Sequence, residues 1–593
     1  MTDDADRLTQ LRRELAARQL DGFVIPLSDE HMSEYVGGYA QRLAWLTGFG
    51  GSAGTAVVLA DKAAIFIDGR YTLQVRDQVD GAFWSYQSVP ETNVADYLKA
   101  NAPMGAKIGY DAWLHSKSWV QSATSALATR NATLIAVPSN PVDTIWADRP
   151  APSNAVIEPH PDHLAGQSAS DKRNAIATWL ADKQADVAIL TALDSIAWAF
   201  NIRGRDVERT PVALAFAMIW ADETADLFIA PDKLTDDIRT HLGAEVRLHP
   251  YAGFSDALSW LAGKTVAVDP DRAVAGIYNQ LQAAGANIIE SRDPVILPKA
   301  IKNAAEISGT KAAHRRDGAA LSRFLHWLSV EGPKGQQTEM SASDRLEAFR
   351  QETGELVDLS FDTISGAGPN GAIVHYRVSE TTNRPIACGT LYLVDSGGQY
   401  RDGTTDVTRT IAIGPVDAEM KRRFTLVLKG HIALARARFP KGTRGSQLDV
   451  LARQYLWAEG LDYAHGTGHG VGSFLSVHEG PQRIATGGGV DEPLAPGMIV
   501  SNEPGYYKTN GYGIRIENLV LVTPDQRAGE EKDMLAFDTL TLAPIDRHAI
   551  EPSLLNDQER QWLNHYHARV LTELGPVLDG DARVWLAGAC APL

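Results

Sequence analysis

Hydrophobic and polar residues recur along the chain with two different periods, and the N-terminal region shows both. Leucines at positions 8, 11 and 15 have the three-to-four spacing of an amphipathic helix, which we predict over Ala5–Arg18. Apolar runs at Gly22–Pro26, Ala56–Leu59 and Ala63–Ile67 predict short buried strands. A helix followed by buried strands indicates an α/β layer.

A second region repeats the hydrophobic pattern of the first. Leu180–Leu190 matches the pattern of Leu15–Ile25, and Ala225–Ile229 matches that of Ala64–Ile67. Two related α/β domains in tandem therefore form the predicted N-terminal half. Sequence rich in proline and asparagine over Pro138–Asn154 predicts a linker between them.

A third region begins with a long predicted helix over Ala304–Val330, where alanine, leucine and phenylalanine recur among charged residues. Further helices are predicted over Met420–Arg438 and Ser446–Glu459. Asn556–Glu559 has the form of a capping box that begins another helix near the C terminus. The predicted domains span residues 1–150, 151–298 and 299–593.

The residues with candidate chemistry lie between Asp395 and Glu517. The segment His465-Gly-Thr-Gly-His469-Gly-Val-Gly is not expected to be helical, because each glycine costs about 1 kcal/mol relative to alanine in a helix. Glu517 lies in the apolar run Gly513–Val522, which we predict as one strand, so its carboxylate would be buried and would need a cation. Four acids follow or interrupt apolar runs: Asp395, Asp406, Glu503 and Glu517.

Four carboxylates and the imidazole of His469 form a ligand set that suits a pair of Mn, Co or Zn ions better than one structural zinc. Two such ions about 3.5–4 Å apart would share a water molecule and make it a nucleophile at neutral pH. Taken singly, each acid is more simply read as a turn residue, and the histidine as a hydrogen-bonding loop residue. The set as a whole favours a metal site.

Composition narrows the classes of protein that fit. A net charge of −17 over 593 residues argues against nucleic acid or an anionic membrane as a partner. The two cysteines, Cys388 and Cys590, make no disulfide framework and fit a reducing, cytoplasmic setting. The N terminus lacks the features of a signal peptide, no apolar run approaches about 18 residues, and the His-Glu-x-x-His motif of zincins is absent.

The order Asp, Asp, His, Glu, Glu resembles that of the pita-bread metallopeptidases, in particular the three-domain Xaa-Pro aminopeptidases (aminopeptidase P). The matching segments are Val394-Asp395-Ser-Gly-Gly, Thr405-Asp406-Val-Thr-Arg-Thr, His465-Gly-Thr-Gly-His469-Gly-Val-Gly, Ser501-Asn-Glu503-Pro-Gly-Tyr-Tyr and Gly513-Ile-Arg-Ile-Glu517-Asn. Leu43–Ala56 and Asp68–Tyr71 resemble that family's N-terminal domain, and Leu297–Asn303 resembles the start of its catalytic domain. The resemblance implies two creatinase/prolidase-like N-terminal α/β domains followed by a pita-bread (α+β) catalytic domain with a C-terminal extension.

The resemblance also implies how the ligands share two metal ions. Asp406 and Glu517 would bridge both ions, Asp395 would bind one, and His469 with Glu503 would bind the other. Glu503 would also accept the proton of the attacking water as general base. Mn²⁺ is the expected ion, with Co²⁺ or Zn²⁺ as alternatives.

Three further histidines and one arginine match positions outside the metal ligands. His478 would stabilise the tetrahedral intermediate, and His375 and His465 would be further donors to the substrate. Arg515 lies two residues before Glu517 and would share its strand face, where it would orient a ligand carboxylate or contact the substrate. The simpler interpretations are a core histidine for His375 and a surface strand residue for Arg515.

The activity implied is a dinuclear-metal aminopeptidase that removes the N-terminal residue from peptides with proline at position two, acting as a homodimer. A prolidase restricted to Xaa-Pro dipeptides and a methionine aminopeptidase are alternatives on the same fold. A metal-free creatinase-like hydrolase and a non-catalytic peptide-binding relative are less favoured, because all five candidate ligands are present. The two N-terminal domains and the C-terminal extension favour the aminopeptidase.

Overall fold

The structure is a computed structural model, and it describes residues 3–89, 91–487 and 491–593. The chain forms two compact units: Met1–Asp162 with Gln167–Ile296, and His163–Gly166 with Leu297–Leu593. Within the described ranges, no helix is both long enough and apolar enough to cross a membrane.

The first unit contains two six-stranded sheets. The strands of the first sheet are β1 (Gly22–Pro26), β2 (Thr55–Leu59), β3 (Ala63–Ile67), β4 (Ser85–Ser88), β5 (Lys107–Tyr110) and β6 (Thr133–Ala136). Those of the second are β7 (Val187–Leu190), β8 (Ala215–Trp220), β9 (Ala225–Ile229), β10 (Val246–His249), β11 (Thr265–Val268) and β12 (Asn287–Glu290). The main helices of this unit are Asp3–Ala17, Val94–Asn101, Lys117–Ala128, Ala169–Lys183, Leu193–Ala199, Asp236–Leu242 and Ala275–Ala284.

The two sheets have the same topology. Their strand orders are β4-β3-β2-β1-β5-β6 and β10-β9-β8-β7-β11-β12. The same antiparallel and parallel pairings recur at equivalent positions, for example β1–β2 and β7–β8 antiparallel, and β1–β5 and β7–β11 parallel. The predicted internal repeat is therefore confirmed at the level of strand order.

The linker predicted over Pro138–Asn154 was wrong in part, because it contains the short helix Pro141–Ile145. The Asn140 side chain accepts the N–H of Val142, and Val142 is fully buried. Asparagine at the N-cap and proline at the first position favour a helix start as readily as a loop, so composition alone could not separate the two.

The second unit combines long helices with four small or medium sheets. Its helices are Ala304–Glu331, Glu339–Gln351, Ala418–Ala435, Gly445–Trp457, Asp557–Leu574 and Gly580–Ala589. Its strands are β13 (Leu356–Leu359), β14 (Ile364–Ala367), β15 (Thr390–Ser396), β16 (Gly398–Tyr400), β17 (Gly403–Thr404), β18 (Val407–Ile413), β19 (Arg438–Pro440), β20 (Gly468–Gly470), β21 (Glu479–Ile484), β22 (Ile499–Asn502), β23 (Gly505–Lys508), β24 (Tyr512–Arg515), β25 (Asn518–Pro524) and β26 (Met534–Thr539). The four sheets have the orders β13-β16-β17, β14-β15-β18, β19-β26-β25-β22-β20-β21 and β23-β24.

The predicted helices are confirmed, with ends that shift by at most three residues. The capping box at Asn556 is also confirmed: its side chain accepts the N–H of Glu559, and the Glu559 carboxylate accepts the N–H of Asn556. Amphipathic periodicity located these helices because each buries one face against a sheet or a second helix.

The single strand predicted over Gly513–Val522 was wrong. Strand β24 ends at Arg515 and pairs with β23, whereas β25 begins at Asn518 and pairs with β22 and β26. Between them the N–H of Glu517 donates to the Thr408 carbonyl of β18, at 3.1 Å. Arg515 and Glu517 therefore do not share one strand face. The predicted burial of Glu517 is confirmed, with 1% of the residue exposed.

Candidate active site

Three of the candidate acids meet around one threonine. Asp395 in β15 pairs in register with Thr408 in β18, and Asp406 comes directly before β18. The Thr408 hydroxyl donates to Glu517 Oε2 at 2.7 Å, while the Thr408 carbonyl accepts the N–H of Glu517. Asp395, Asp406 and Glu517 are all buried.

His469 lies in β20, which neighbours β22 in the six-stranded sheet, and Glu503 follows β22. The His469 Nδ1 donates to the Gly470 carbonyl at 2.9 Å, so the lone pair of the neutral ring is on Nε2, the nitrogen that faces the acids. This Nε2 lies 3.4 Å from Asp406 Oδ2 and 3.5 Å from Glu503 Oε1. The Ser501 hydroxyl accepts the N–H of His469 and donates to Glu503 Oε1, and so links the two residues.

The donor atoms fit a divalent metal centre. One ligand atom each from Asp406, His469 and Glu517 lies within 4.8 Å of the others. Asp395 Oδ1, Asp406 Oδ1 and Glu517 Oε1 are buried without a hydrogen-bond donor. Burial, and then the charges of Asp395 and Glu503, raise the pKa of Asp406 well above its usual range. Oxygen-rich donors of like charge at short range are a suitable set for hard or borderline divalent cations.

A chain of hydrogen bonds runs from Asp395 to His465. Arg515 donates from Nη2 to Asp395 Oδ2 at 2.6 Å and from Nη1 to the Tyr507 hydroxyl at 2.6 Å. His465 Nδ1 donates to the Gly466 carbonyl, so the Tyr507 hydroxyl, 2.9 Å from His465 Nε2, donates to that nitrogen. Burial is the largest influence on Tyr507 and raises its pKa to about 12, which keeps the phenol protonated as a donor.

The two remaining candidate histidines are half-buried. The ring of His478 lies edge-on to the ring of His469, with the two centroids 4.4 Å apart. His478 is the residue directly before β21. His375 lies in the turn that follows the short helix Gly368–Ala372. The structure therefore brings His478 and His465 into contact with residues of the cluster and places His375 in a loop.

Known proteins are similar to this chain along nearly its full length. "Probable Xaa-Pro aminopeptidase P" of the fungus Laccaria bicolor is 42% identical over 607 residues, which cover 99% of this chain and 93% of the fungal protein. The protein of the same name from Neosartorya fischeri is 41% identical over 99% of this chain and 92% of its own length. The chain belongs to the Xaa-Pro aminopeptidase P family.

Family models divide this aminopeptidase P relative into four regions. The creatinase/prolidase N-terminal domain matches twice, at residues 7–145 and 148–306. Metallopeptidase family M24 matches residues 308–524, and the C-terminal region of peptidase M24 matches residues 533–593. The fold is therefore two creatinase/prolidase N-terminal α/β domains followed by a pita-bread catalytic domain, as predicted.

Solved structures agree with this assignment. The X-prolyl aminopeptidase of Caenorhabditis elegans, described as a cytosolic enzyme with a di-nuclear active site, matches with a TM-score of 0.96 and 35% identity, covering 100% of both chains. An Xaa-Pro dipeptidase from Bacillus anthracis matches with a TM-score of 0.52 and 24% identity over 64% of this chain, which shows the fold alone.

Sequence reasoning missed three residues that contact candidate site residues: Thr408, Ser501 and Tyr507. The sequence did contain a signal for Thr408 and Ser501. Each lies two positions from an acid, Asp406 or Glu503, in or beside a strand, and side chains two positions apart lie on the same face of a strand. Tyr507 had no such signal, since its contact with Arg515 depends on the pairing of β23 with β24 and its contact with His465 joins residues 42 positions apart.

Replacing Thr408 by valine is expected to weaken metal binding about 10- to 100-fold, because the Glu517 carboxylate loses the hydroxyl that orients it. Metal affinity is measured by competition with a chelator of known affinity. Thr541→Val is the matched control, since the buried Thr541 hydroxyl accepts the N–H of Leu519, which is not a candidate ligand. Equal metal affinity in the two variants would contradict the expectation.

Proposed function

We propose that this chain is a dinuclear-metal aminopeptidase that releases the N-terminal residue from peptides with proline at position two. The observation that carries the proposal is the approach of Asp406, His469 and Glu517, with ligand atoms within 4.8 Å of one another. Full-length similarity to proteins named Xaa-Pro aminopeptidase P supports this substrate class.

In this proposal Asp406 and Glu517 would be shared ligands of two divalent cations, Asp395 would be a ligand of one of them, and His469 with Glu503 would be ligands of the other. The buried carboxylate oxygens without donors on Asp395, Asp406 and Glu517 support these assignments. When bound, the cations supply a water activated for attack and polarise the scissile carbonyl.

Glu503 acts as the general base. Its carboxylate is oriented by the Ser501 hydroxyl at 3.0 Å, and its backbone N–H donates to the Thr467 carbonyl at 2.8 Å. Fixed in this way, Glu503 takes the proton of the attacking water and returns it to the proline nitrogen as the peptide bond breaks. Any peptide nitrogen must receive a proton to leave as a neutral amine, and in an Xaa-Pro bond this proton becomes the only N–H of the released proline, because the proline nitrogen carries no hydrogen beforehand.

The histidines and Arg515 position charge around the reacting carbonyl. His478, beside the His469 ring, donates to the oxygen that becomes negative in the tetrahedral intermediate, and His375 and His465 contact the peptide. Arg515 holds Asp395 through a charge-assisted hydrogen bond of 2.6 Å. Tyr507 carries the same chain of hydrogen bonds to His465.

Three finer points belong to the same proposal and rest on family resemblance. Mn²⁺ is the metal, with Co²⁺ or Zn²⁺ as alternatives, because the ligand set is mostly oxygen. The protein is a homodimer. It resides in the cytoplasm, as does the C. elegans relative, which is described as cytosolic.

The test is hydrolysis of an Xaa-Pro-Yaa tripeptide and an Xaa-Pro dipeptide by protein stripped of metal with a chelator, before and after addition of Mn²⁺. Activity that returns with Mn²⁺ and includes the tripeptide is the expected result. Activity confined to the dipeptide would assign the protein to the prolidases instead. No hydrolysis of either peptide by protein with bound metal would reject the proposal.

A further inference from the structure

The Gly-rich segment, residues 465–472, has little stiffness of its own. It contains four glycines in eight residues, and glycine loses more backbone entropy on ordering than any other residue. Only Gly468–Gly470 of the segment is in a strand. His465 and Thr467 precede that strand, so contacts from elsewhere in the fold must hold them in place.

One arginine supplies several of these contacts. Arg453, in the helix Gly445–Trp457, donates from Nη1 to the Tyr463 carbonyl at 2.8 Å and from Nη2 to the His465 carbonyl at 2.7 Å. Nη1 also reaches Asp462 Oδ1 at 2.8 Å. The guanidinium carbon lies 3.9 Å from the centroid of the Tyr463 ring. A single planar group therefore binds the chain at three successive points before the strand.

The partner of this arginine extends the contact to Glu503. Asp449, one turn earlier in the helix, is fully buried and accepts Arg453 Nε at 2.6 Å. Its other carboxylate oxygen accepts the Thr467 hydroxyl, which in turn accepts the hydroxyl of Tyr463. The Thr467 carbonyl accepts the N–H of Glu503 at 2.8 Å. Asp449 is thus connected to the backbone of Glu503 through one residue.

The helix that carries this pair is itself closely packed. A Cβ added at Gly430 of the neighbouring helix would lie 2.0 Å from the Ala452 carbonyl, so the two helices touch backbone to backbone. A Cβ at Gly445, the first residue of the helix, would lie 1.8 Å from the Arg483 carbonyl of β21. Close packing of this kind leaves the helix little room to shift, which makes it a fixed base for Asp449 and Arg453.

We propose that Asp449 and Arg453 are a positioning pair that orders the Gly-rich segment and thereby sets His465 and Glu503 for catalysis. The catalytic part of this inference rests on the proposed aminopeptidase function. The ordering part does not, because it concerns the order of the backbone, which amide exchange reports without substrate or metal.

The first measurement is hydrogen–deuterium exchange by mass spectrometry on the full chain without added metal, for wild type, Arg453→Met and Arg453→Lys. Peptides covering residues 462–470, and those containing Glu503, should exchange at least about tenfold faster in both variants. Lysine keeps the positive charge of Arg453 and with it the ion pair with Asp449. One ammonium group cannot replace the several N–H donors of the planar guanidinium, so Arg453→Lys still removes hydrogen bonds to the Tyr463 and His465 carbonyls. Unchanged exchange in both variants would overturn the proposal.

The matched control is Lys429→Met. Lys429 lies on the adjacent helix Ala418–Ala435, makes an ion pair with Glu559 at 2.6 Å and donates a hydrogen bond to the Leu554 carbonyl. Its ammonium also lies 4.8 Å from the centroid of the Tyr455 ring, and none of these three partners belongs to the Gly-rich segment. Its loss removes a largely buried ion pair of the same unit. The rate of hydrogen–deuterium exchange in residues 462–470 should stay as in wild type. If Lys429→Met raises this rate as much as Arg453→Met does, Arg453 has a general structural role and does not position the segment.

The second measurement is steady-state hydrolysis of Xaa-Pro-Yaa with saturating Mn²⁺. Both Arg453 variants should lose about 10- to 100-fold in kcat with KM within about threefold, because a displaced general base affects the chemical step more than substrate binding. Faster exchange with unchanged kcat would overturn the positioning role. If wild type itself shows no turnover, the proposed function fails, while the exchange comparison still decides whether the pair orders the segment.

Discussion

Replacing Glu503 by glutamine is expected to lower kcat for Xaa-Pro-Yaa hydrolysis by about 10²–10⁴-fold. The amide has nearly the shape of the carboxylate and still accepts the Ser501 hydroxyl, but it cannot take a proton from water. The assay is run at saturating Mn²⁺, so that weaker metal binding does not reduce the measured rate. Metal content is determined separately after removal of unbound ion.

The control for this variant is Glu419→Gln. Glu419 is exposed and pairs with Lys508, the last residue of β23 and five residues after Glu503. It therefore lies in the same unit as Glu503 and pairs with a residue that is not a candidate ligand. Its kcat should remain within about twofold of wild type, as expected for an exposed ion pair of small energy. A Glu503→Gln protein that keeps more than about a tenth of wild-type kcat at full metal occupancy would show that another group is the base.

The second large effect is expected at Arg409, a residue 2% exposed in β18. Its guanidinium donates to the Glu517 carbonyl at 2.6 Å, the Ala543 carbonyl at 2.8 Å and the Tyr566 hydroxyl at 3.0 Å. It also binds the carbonyls of Thr408 and Pro544 and the Asn518 side chain. The group therefore ties the strands around Glu517 to the C-terminal region without a carboxylate among these partners.

Arg409→Met is expected to lower the midpoint of thermal unfolding by roughly 5–10 °C, because several buried acceptors lose their donor at about 1–3 kcal/mol each. Arg560→Met is the control, since Arg560 donates to the Pro552 carbonyl at the surface and its loss should be within about 1 °C. Scanning calorimetry or near-UV circular dichroism measures both. Equal midpoints for the two variants would contradict the role assigned to Arg409.

Periodicity predicted most of the secondary structure because each element buries one face. The long helix at Ala304 and the strands at Gly22 and Ala63 were located to within a few residues. The internal repeat was also readable, since both N-terminal domains bury equivalent strands such as β3 and β9. Periodicity did not reveal that the strand is interrupted at Glu517. The strands before and after Glu517 are both apolar, so the hydrophobic pattern does not show that they pair with different neighbouring strands.

The sequence by itself determined which residue types are available for chemistry and in what order: two aspartates, a histidine in a Gly-rich segment and two glutamates. It also determined the family, because those short motifs recur together across the chain. Tertiary structure alone decided that the Thr408 hydroxyl orients Glu517, that Arg515 reaches Asp395, and that Arg453 holds the Gly-rich segment.

Two of these contacts join residues that are far apart in the chain: 109 positions for Thr408 and Glu517, and 120 for Arg515 and Asp395. The third joins Arg453 to His465, 12 positions away, across the end of a helix. A local pattern reports burial and backbone preference, which depend on neighbours in sequence. A hydrogen bond between distant side chains depends on how sheets and helices pack, and packing is set by the whole fold.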